Sequence, residues 1–312
     1  MHVLSAKQFD KKTLARIFDR ADYMMRQTLE SPPKIRQLAN RHKGRTIATL
    51  FYEPSTRTRL SFETAAQKLG LSVITAENAA ESSSNAKGES IEDSIKTVSN
   101  YADIIVMRHP ETGSVDRVAA VSKIPIINAG DGSKGQHPTQ ALLDLYTIIR
   151  EMESPDGKII ALVGALKYYR PSRSLATLLA LYKPAKIILV SPKSLKMQDD
   201  IKQLLINAHI PIVETEDFDT AVRETDILYQ NRIPKEYFAK DSQYQEYKGR
   251  YILDSQKAET MKLTSIIMHP LPRVDEIDPL VDTNPRAVYF RQAENGLYIR
   301  MALIDMIMKA EL

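Results

Sequence analysis

Thr46-Ile-Ala-Thr-Leu-Phe-Tyr-Glu-Pro-Ser-Thr-Arg-Thr-Arg-Leu-Ser-Phe-Glu63 joins two different patterns. Its first part, Thr46 to Tyr52, is a short apolar run that predicts a buried strand. Its last part opens a helical pattern from Leu60 to Leu69. Between them, Ser55 to Ser61 holds two arginines and four hydroxyl side chains, with no acid cluster matched to them nearby in the sequence. A helix N-terminus offers free N–H groups and positive potential, and hydroxyls beside a guanidinium suit a phosphate without a glycine-rich loop. Capping by Ser55 or Thr58 accounts for one hydroxyl but not for the set.

Working outward, Leu14, Ile17, Phe18, Ala21 and Met25 are spaced for one face of an opening helix. Apolar runs follow at Ser72–Thr75, Ile104–Met107 and Ile124–Asn128, separated by helical patterns over Ser90–Tyr101 and Ser114–Val121. A second series occupies Ile159–Val163, Lys186–Val190, Ile212–Val213, Ile227–Tyr229 and Ser265–Met268, with helical segments at Ser172–Tyr182 and Gln198–Ala208. Ile- and Val-rich strands alternating with helices predict an α/β protein with two doubly wound parallel-sheet domains. The series breaks near the helix after Pro138, where Ala141, Leu142, Leu145 and Ile148 form an apolar stripe before the polar stretch Glu151–Lys158. The expected division is 1–138, completed by a C-terminal helix over 295–312 that packs back on it, and 139–294. A final helix is expected over Ile299–Ala310.

Bulk properties narrow the function classes. The 312 residues are 43% hydrophobic and 26% charged, the balance of a globular protein. A net charge of +4 from well-mixed signs is too mild for a nucleic-acid or membrane surface. The absence of Cys removes disulfides, thiolate catalysis and Cys-ligated zinc. Neither a signal-peptide core at the N-terminus nor a membrane-length apolar run is present, so a cytoplasmic location is expected.

In parallel α/β sheets ligands sit at the carboxyl ends of strands, so the loops after strands are where chemistry is sought. No G-x-x-x-x-G-K-[ST] loop occurs, and Gly164 after the run Ile159–Val163 stands alone, which disfavours ATPase and dehydrogenase chemistry. Met107-Arg-His-Pro110 brings Arg108 to a strand end, as a second cation for the same anion or as half of a surface salt bridge. Gly130 to Gln140 concentrates three of the eleven glycines and sets His137 at the entry to a helix, whose positive end disfavours its protonation. Among six histidines no H-x-x-x-H or H-E-x-x-H pair suggests a metal. Arg170 and Arg232 also follow strands, and each suits bidentate capture of a carboxylate or pairing with an acid of its own domain. Met268-His-Pro-Leu-Pro-Arg273 places two prolines after a strand, leaving carbonyls to accept hydrogen bonds from an amine or simply making a rigid turn. Together these loops point to a substrate with several negative charges and stop short of a reaction.

The stretches F-Y-E-P-S-T-R-T-R-L-S-F-E, V-M-R-H-P, N-A-G-D-G-S-K-G-Q-H-P-T-Q-A-L-L-D-L, M-H-P-L-P-R-V-D-E-I and Y-F-R-Q-A-E-N-G resemble the aspartate carbamoyltransferase catalytic-chain family over essentially the whole chain. The resemblance implies transfer of a carbamoyl group from carbamoyl phosphate to aspartate in pyrimidine synthesis, with no metal, cofactor or covalent intermediate. It implies that Ser55, Thr56, Arg57, Thr58 and Arg108 hold the phosphate, with Arg57 also stabilising the leaving group. Thr58, Arg108 and His137 polarise the carbamoyl oxygen. Gln140 and the carbonyls of Pro270 and Leu271 orient the amine, and Arg170 and Arg232 grip the carboxylates. Ser83 and Lys87 are implied to enter a neighbouring subunit's site, which makes the enzyme a homotrimer. The resemblance leaves room for a regulatory chain or a dihydroorotase as partner. The chain departs from the family's G-D-L-K-Y-G-R at Ala165 and Tyr169, and from its usual Gln at Pro234. A smaller departure is the K-G-Q spacing before His137. The departures at 165, 169 and 234 fall on the aspartate side, so a carbamoyltransferase for another amine and a weakly catalytic paralogue with a binding or assembly role are the alternatives.

Overall fold

The computed structural model describes residues 1–78, 88–132, 135–235, 238 and 244–312. Two compact units emerge, one of Met1–Leu142 with Glu294–Leu312 and one of Leu143–Ala293.

The first unit is built on four parallel strands in the order β2-β1-β3-β4: β1 Thr46–Phe51, β2 Ser72–Glu77, β3 Ile104–His109 and β4 Ile126–Asp131. Its helices are α1 Lys11–Leu29, α2 Pro32–Ala39, α3 Thr56–Lys68, α4 Ile91–Val98 and α5 Ser114–Ala119. The chain runs from β1 outward to β2, then returns past β1 to β3, so right-handed crossovers send α3 to one face and α4 and α5 to the other. Alternation along β1 agrees. Ala48, Leu50 and Tyr52 pack with Ile91 and Ile95 of α4 and Val115 and Val118 of α5, while Thr49 on the opposite face donates to Glu63 of α3 at 3.0 Å.

The second unit carries five parallel strands in the order β7-β6-β5-β8-β9: β5 Ile159–Val163, β6 Lys186–Val190, β7 Ile212–Thr215, β8 Ile227–Gln230 and β9 Ile266–Met268. Here too the order reverses, between β5 and β8. Ala161, Val163, Ile188, Val190, Leu228 and Ile267 face a core closed by Phe218, Ala221 and Val222. Those three belong to α9 (Phe218–Glu224), which follows α7 (Arg170–Leu179) and α8 (Asp199–Asn207). A short α10, Ser255–Glu259, comes after it.

Helices α6 (Pro138–Met152) and α11 (Tyr289–Met308) each run through the division between the units. The single stripe expected on α6 is therefore not what forms. Residues 137–148 are buried all round, Thr139, Asp144 and Thr147 included. Other details differ as well. α3 begins at Thr56 rather than Leu60, so the Ser-Thr-Arg-Thr-Arg turn is mostly the helix's first turn. On α1 Met24 is buried in place of Met25. α11 starts ten residues before Ile299, because burial of Tyr289, Gln292 and Asn295 outweighs the roughly 1 kcal/mol penalty of Gly296 in a helix.

The end of α11 is locked into the first unit by Asp305, which is fully buried. It receives Arg20, the Arg41 guanidinium (Nη2 at 3.0 Å) and His42 Nε2 at 2.7 Å. Burial alone would raise the Asp305 carboxyl, but His42, Arg41 and Arg20 together hold it well below the usual carboxylate range. Removing one partner from such a cluster leaves buried charge uncompensated. Asp305→Asn is expected to lower unfolding free energy by about 3 kcal/mol at pH 7 in urea denaturation. A depressed native pKa contributes stability above the unfolded value of about 3.9 and loses it as pH falls toward the native value. The gap between wild type and Asp305→Asn should thus be flat above about pH 5 and shrink below about pH 4.

Candidate active site

In the first unit the strand-order reversal lies between β1 and β3, and the donor-rich turn grows from the carboxyl end of β1. Phe51 is in register with Arg108, and Tyr52 N donates to Arg108 O at 2.9 Å. Register alone therefore brings Arg108 beside the first turn of α3. Ser55 occupies the N-cap position, yet its side chain makes no cap hydrogen bond. Its hydroxyl instead accepts from Arg108 Nη1 at 3.3 Å. No acid sits in the first turn of α3. Thr58 is buried, whereas Thr56 and Arg57 are exposed. The serine therefore does not close this N-terminus, and a helix N-terminus is a kind of position that can receive an external anion.

The expectation that the arginines lack acids nearby is corrected by the structure. Arg108 Nε and Nη2 both meet Glu53 Oε1 at 2.6 Å, and Arg59 spans Glu63 at 3.2 Å and Glu77 at 2.9 Å. Glu53 stands two residues before Ser55, inside the quoted motif, so it was visible there. Glu77 lies at the end of β2, and only strand order brings it close. These pairs fix the orientation of the Arg108 and Arg59 guanidinium groups.

β4 ends in a loop that leads to His137. Asp131 organises it, accepting from Asn128 Nδ2 (2.9 Å), Gln136 N (2.9 Å) and Gly113 N (2.8 Å). Gly135 is required because a Cβ there would lie 1.8 Å from Asp131 O. His137 is buried, and its carbonyl accepts from Gln140 N and Ala141 N at 3.1 and 3.2 Å, starting α6 with Gln140 in the first turn. β1, β3 and β4 are neighbours in the sheet, so Ser55–Thr58, Arg108 and His137 all emerge from its carboxyl edge. The sequence reading gave Asp131 no role, although an acid in a glycine-rich turn is a signal for such a clasp. Ser83, Lys87 and the Lys134 of the K-G-Q spacing lie outside the described residues.

The second unit repeats the arrangement with different chemistry. Arg170 opens α7 after β5, Arg232 follows β8, and Pro270 and Leu271 follow β9, again on three neighbouring strands. The ends of β5 and β8 are stitched together, with Asn231 N and Nδ2 each donating to Val163 O at 3.0 Å. Gly164, at φ +112°, permits this, since a Cβ would stand 2.4 Å from Asn231 O. Ala165 is fully buried, Tyr169 and Pro234 are buried, and Arg170 and Arg232 are partly exposed. Leu271 holds φ +53°, an unusual conformation for a branched side chain and one that collects at functional turns. Among the described residues, no group of three or more His, Asp or Glu is arranged to hold a metal ion, and no helix is long and apolar enough to cross a membrane.

Residues 1–150 match the family model for the carbamoyl-P binding domain of aspartate/ornithine carbamoyltransferase, and residues 156–307 match that for its Asp/Orn binding domain. The chain belongs to the aspartate/ornithine carbamoyltransferase family. A chloroplastic aspartate carbamoyltransferase of Pisum sativum is 50% identical over 98% of this chain and 78% of its own length. The aspartate carbamoyltransferase catalytic subunit of Thermoplasma volcanium is 46% identical over 98% of this chain and 97% of its own. Among solved structures, the M. jannaschii aspartate transcarbamoylase catalytic subunit superposes with a TM-score of 0.89 at 45% identity, covering 99% and 98% of the two chains. A Trypanosoma cruzi aspartate transcarbamoylase in complex with carbamoyl phosphate and aspartate gives 0.89 at 36% identity, over 97% and 95%. Two parallel-sheet α/β units with flanking helices are thus the carbamoyltransferase fold.

Within that fold the stitched ends of β5 and β8 depend on Gly164. Gly164→Ala is expected to cost about 1–3 kcal/mol, from left-handed strain and the Asn231 contact, read as a lower urea midpoint with an unchanged slope.

Proposed function

We propose that this chain transfers the carbamoyl group of carbamoyl phosphate to the amine of L-aspartate, giving N-carbamoyl-L-aspartate and phosphate in de novo pyrimidine synthesis. The observation that carries this reading is that one unit holds an Arg108-flanked helix N-terminus with no side-chain cap at its strand-order reversal, and the other holds Arg170 and Arg232 at its own. The Trypanosoma cruzi relative binds carbamoyl phosphate and aspartate together, which supports it. Ser55, Thr56, Arg57, Thr58 and Arg108 hold the phosphate, with Ser83 and Lys87 contributed by a neighbouring subunit of a homotrimer. Thr58, Arg108 and His137 donate to the carbamoyl oxygen as charge develops on it, where one lost donor costs roughly 3 kcal/mol. Gln140 and the carbonyls of Pro270 and Leu271 orient the amine, and Arg170, Arg232 and Lys87 bind the aspartate carboxylates. The amine lone pair forms the new C–N bond, the C–O bond to phosphate breaks, and the departing phosphate takes the amine's proton. Catalysis is then positioning and charge stabilisation without a cofactor. The cytoplasm is the proposed location, and a regulatory chain or a dihydroorotase would be a further partner.

The direct test offers aspartate and ornithine in parallel to purified protein with carbamoyl phosphate. Ureido product with aspartate alone is expected. Carbamoyl phosphate binding without product from either amine would sink the reading. Within the motif, Arg57→Ala should weaken inorganic phosphate binding on the order of 100-fold in calorimetry, while Arg59→Ala should act mainly on stability.

The second reading, another amine or a weakly catalytic paralogue, rests on Ala165. The family acid is replaced by a fully buried methyl group beside the stitched strand ends. Ala165→Asp is expected to leave turnover with aspartate unchanged if Tyr169 and Pro234 have rebuilt the loop. A large gain would show that the missing acid limits the enzyme.

A further inference from the structure

His269 and Glu276 form a buried dyad that none of the roles above uses. His269 is 1% exposed and Glu276 4%. His269 Nε2 lies 2.6 Å from Glu276 Oε1, and the other ring nitrogen, Nδ1, accepts from Leu271 N–H at 2.8 Å. An Nδ1 that accepts must carry a lone pair, so the ring proton sits on Nε2 and is donated to the carboxylate. Glu276 Oε2 accepts from Val274 N and Asp275 N at 3.1 Å each. Burial alone would raise its carboxyl, but His269, with help from the backbone N–H groups of Glu276 and Val274, holds it below its ordinary range. The backbone of His269 is fixed separately, its N–H donating to Gln292 Oε1 at 2.9 Å, and Gln292 Nε2 donates to Asp144 at 2.6 Å.

The N–H of Leu271 and the carbonyl of Pro270 belong to one planar peptide unit, in which the two point in opposite directions. Whatever holds that N–H aims that carbonyl. We propose that His269, held in one tautomer by Glu276, is the positioning residue for the Pro270 carbonyl that receives the substrate amine. The proposal rests on the carbamoyl-transfer reading for its substrate, but the hinge it describes stands on the dyad's geometry. With Leu271 at φ +53° and prolines on both sides, the turn offers few alternative N–H bonds, and the imidazole supplies the acceptor. A protonated or flipped ring would set a donor against the Leu271 N–H and release the carbonyl.

Asparagine places an oxygen near the position of Nδ1 and can accept from the N–H two residues on, whereas glutamine reaches toward Nε2 and its partner instead. His269→Asn is therefore expected to keep the Leu271 amide slow to exchange with solvent and to hold kcat within about tenfold of wild type. His269→Gln is expected to expose that amide, with kcat lowered about 100-fold and inorganic phosphate affinity unchanged in both. The reverse order, glutamine better than asparagine, would overturn the proposal and make the ring a tie for the 274–276 turn only. Equal Leu271 exchange in wild type and both variants would overturn it too. If wild type made no ureido product from aspartate, the substrate reading would fail while Leu271 exchange still judged the hinge. Should both variants fail to fold, nitrogen-15 NMR of histidine-labelled wild type decides. A proton on Nε2 supports the proposal, and one on Nδ1 refutes it.

Discussion

Everything at the site depends on parallel strands whose connections leave in opposite directions. Where β1 sends the chain one way, to β2, and β3 sends it the other, to β4, no crossover covers the gap at their carboxyl ends. The same holds between β5 and β8. Each notch exposes the polar ends of buried strands, and the loops that start there must supply side chains to satisfy them or a ligand to do so. Ser55 and Arg108 at one notch, and Asn231 and Gly164 at the other, are what the register of adjacent strands leaves within reach.

Acids set beside the cations decide how those side chains are presented. Two nitrogens of Arg108 converge on one oxygen of Glu53, and Asp131 draws three segments together before His137. Orientation fixed before a ligand arrives does not have to be created during reaction, the condition under which charged donors are most effective. Partly buried pairs of this kind contribute modestly to stability and considerably to geometry.

Legibility in the sequence followed chemistry and faded where assembly decides. The central strands are announced by apolar runs, because strands covered on both faces must be apolar throughout, whereas the edge strands β2 and β7 are largely exposed. Arg57, Arg108, His137, Arg170 and Arg232 stand out because each falls in a loop directly after an apolar run or at the helix entry that follows it. Glu77 could not be paired with Arg59 by reading, since β2 reaches β1 only through sheet order. The early start of α11 was hidden by Gly296, whose low propensity is overridden by burial of its neighbours. Helix α6 misled in the other direction: its spacing shows a stripe, but Thr139, Asp144 and Thr147 are buried along with its apolar residues.

Asp305 also sets an order of events during protein synthesis. Its partners Arg20 and Arg41 precede it by 285 and 264 residues. While a ribosome extends the chain, the four-stranded unit can collapse early, but its cluster of cations waits for a carboxylate translated long after the five-stranded unit has emerged. Domains usually fold in the order in which they appear. Here the unit that begins first is completed last, and its two arginines and His42 remain without Asp305 through most of translation.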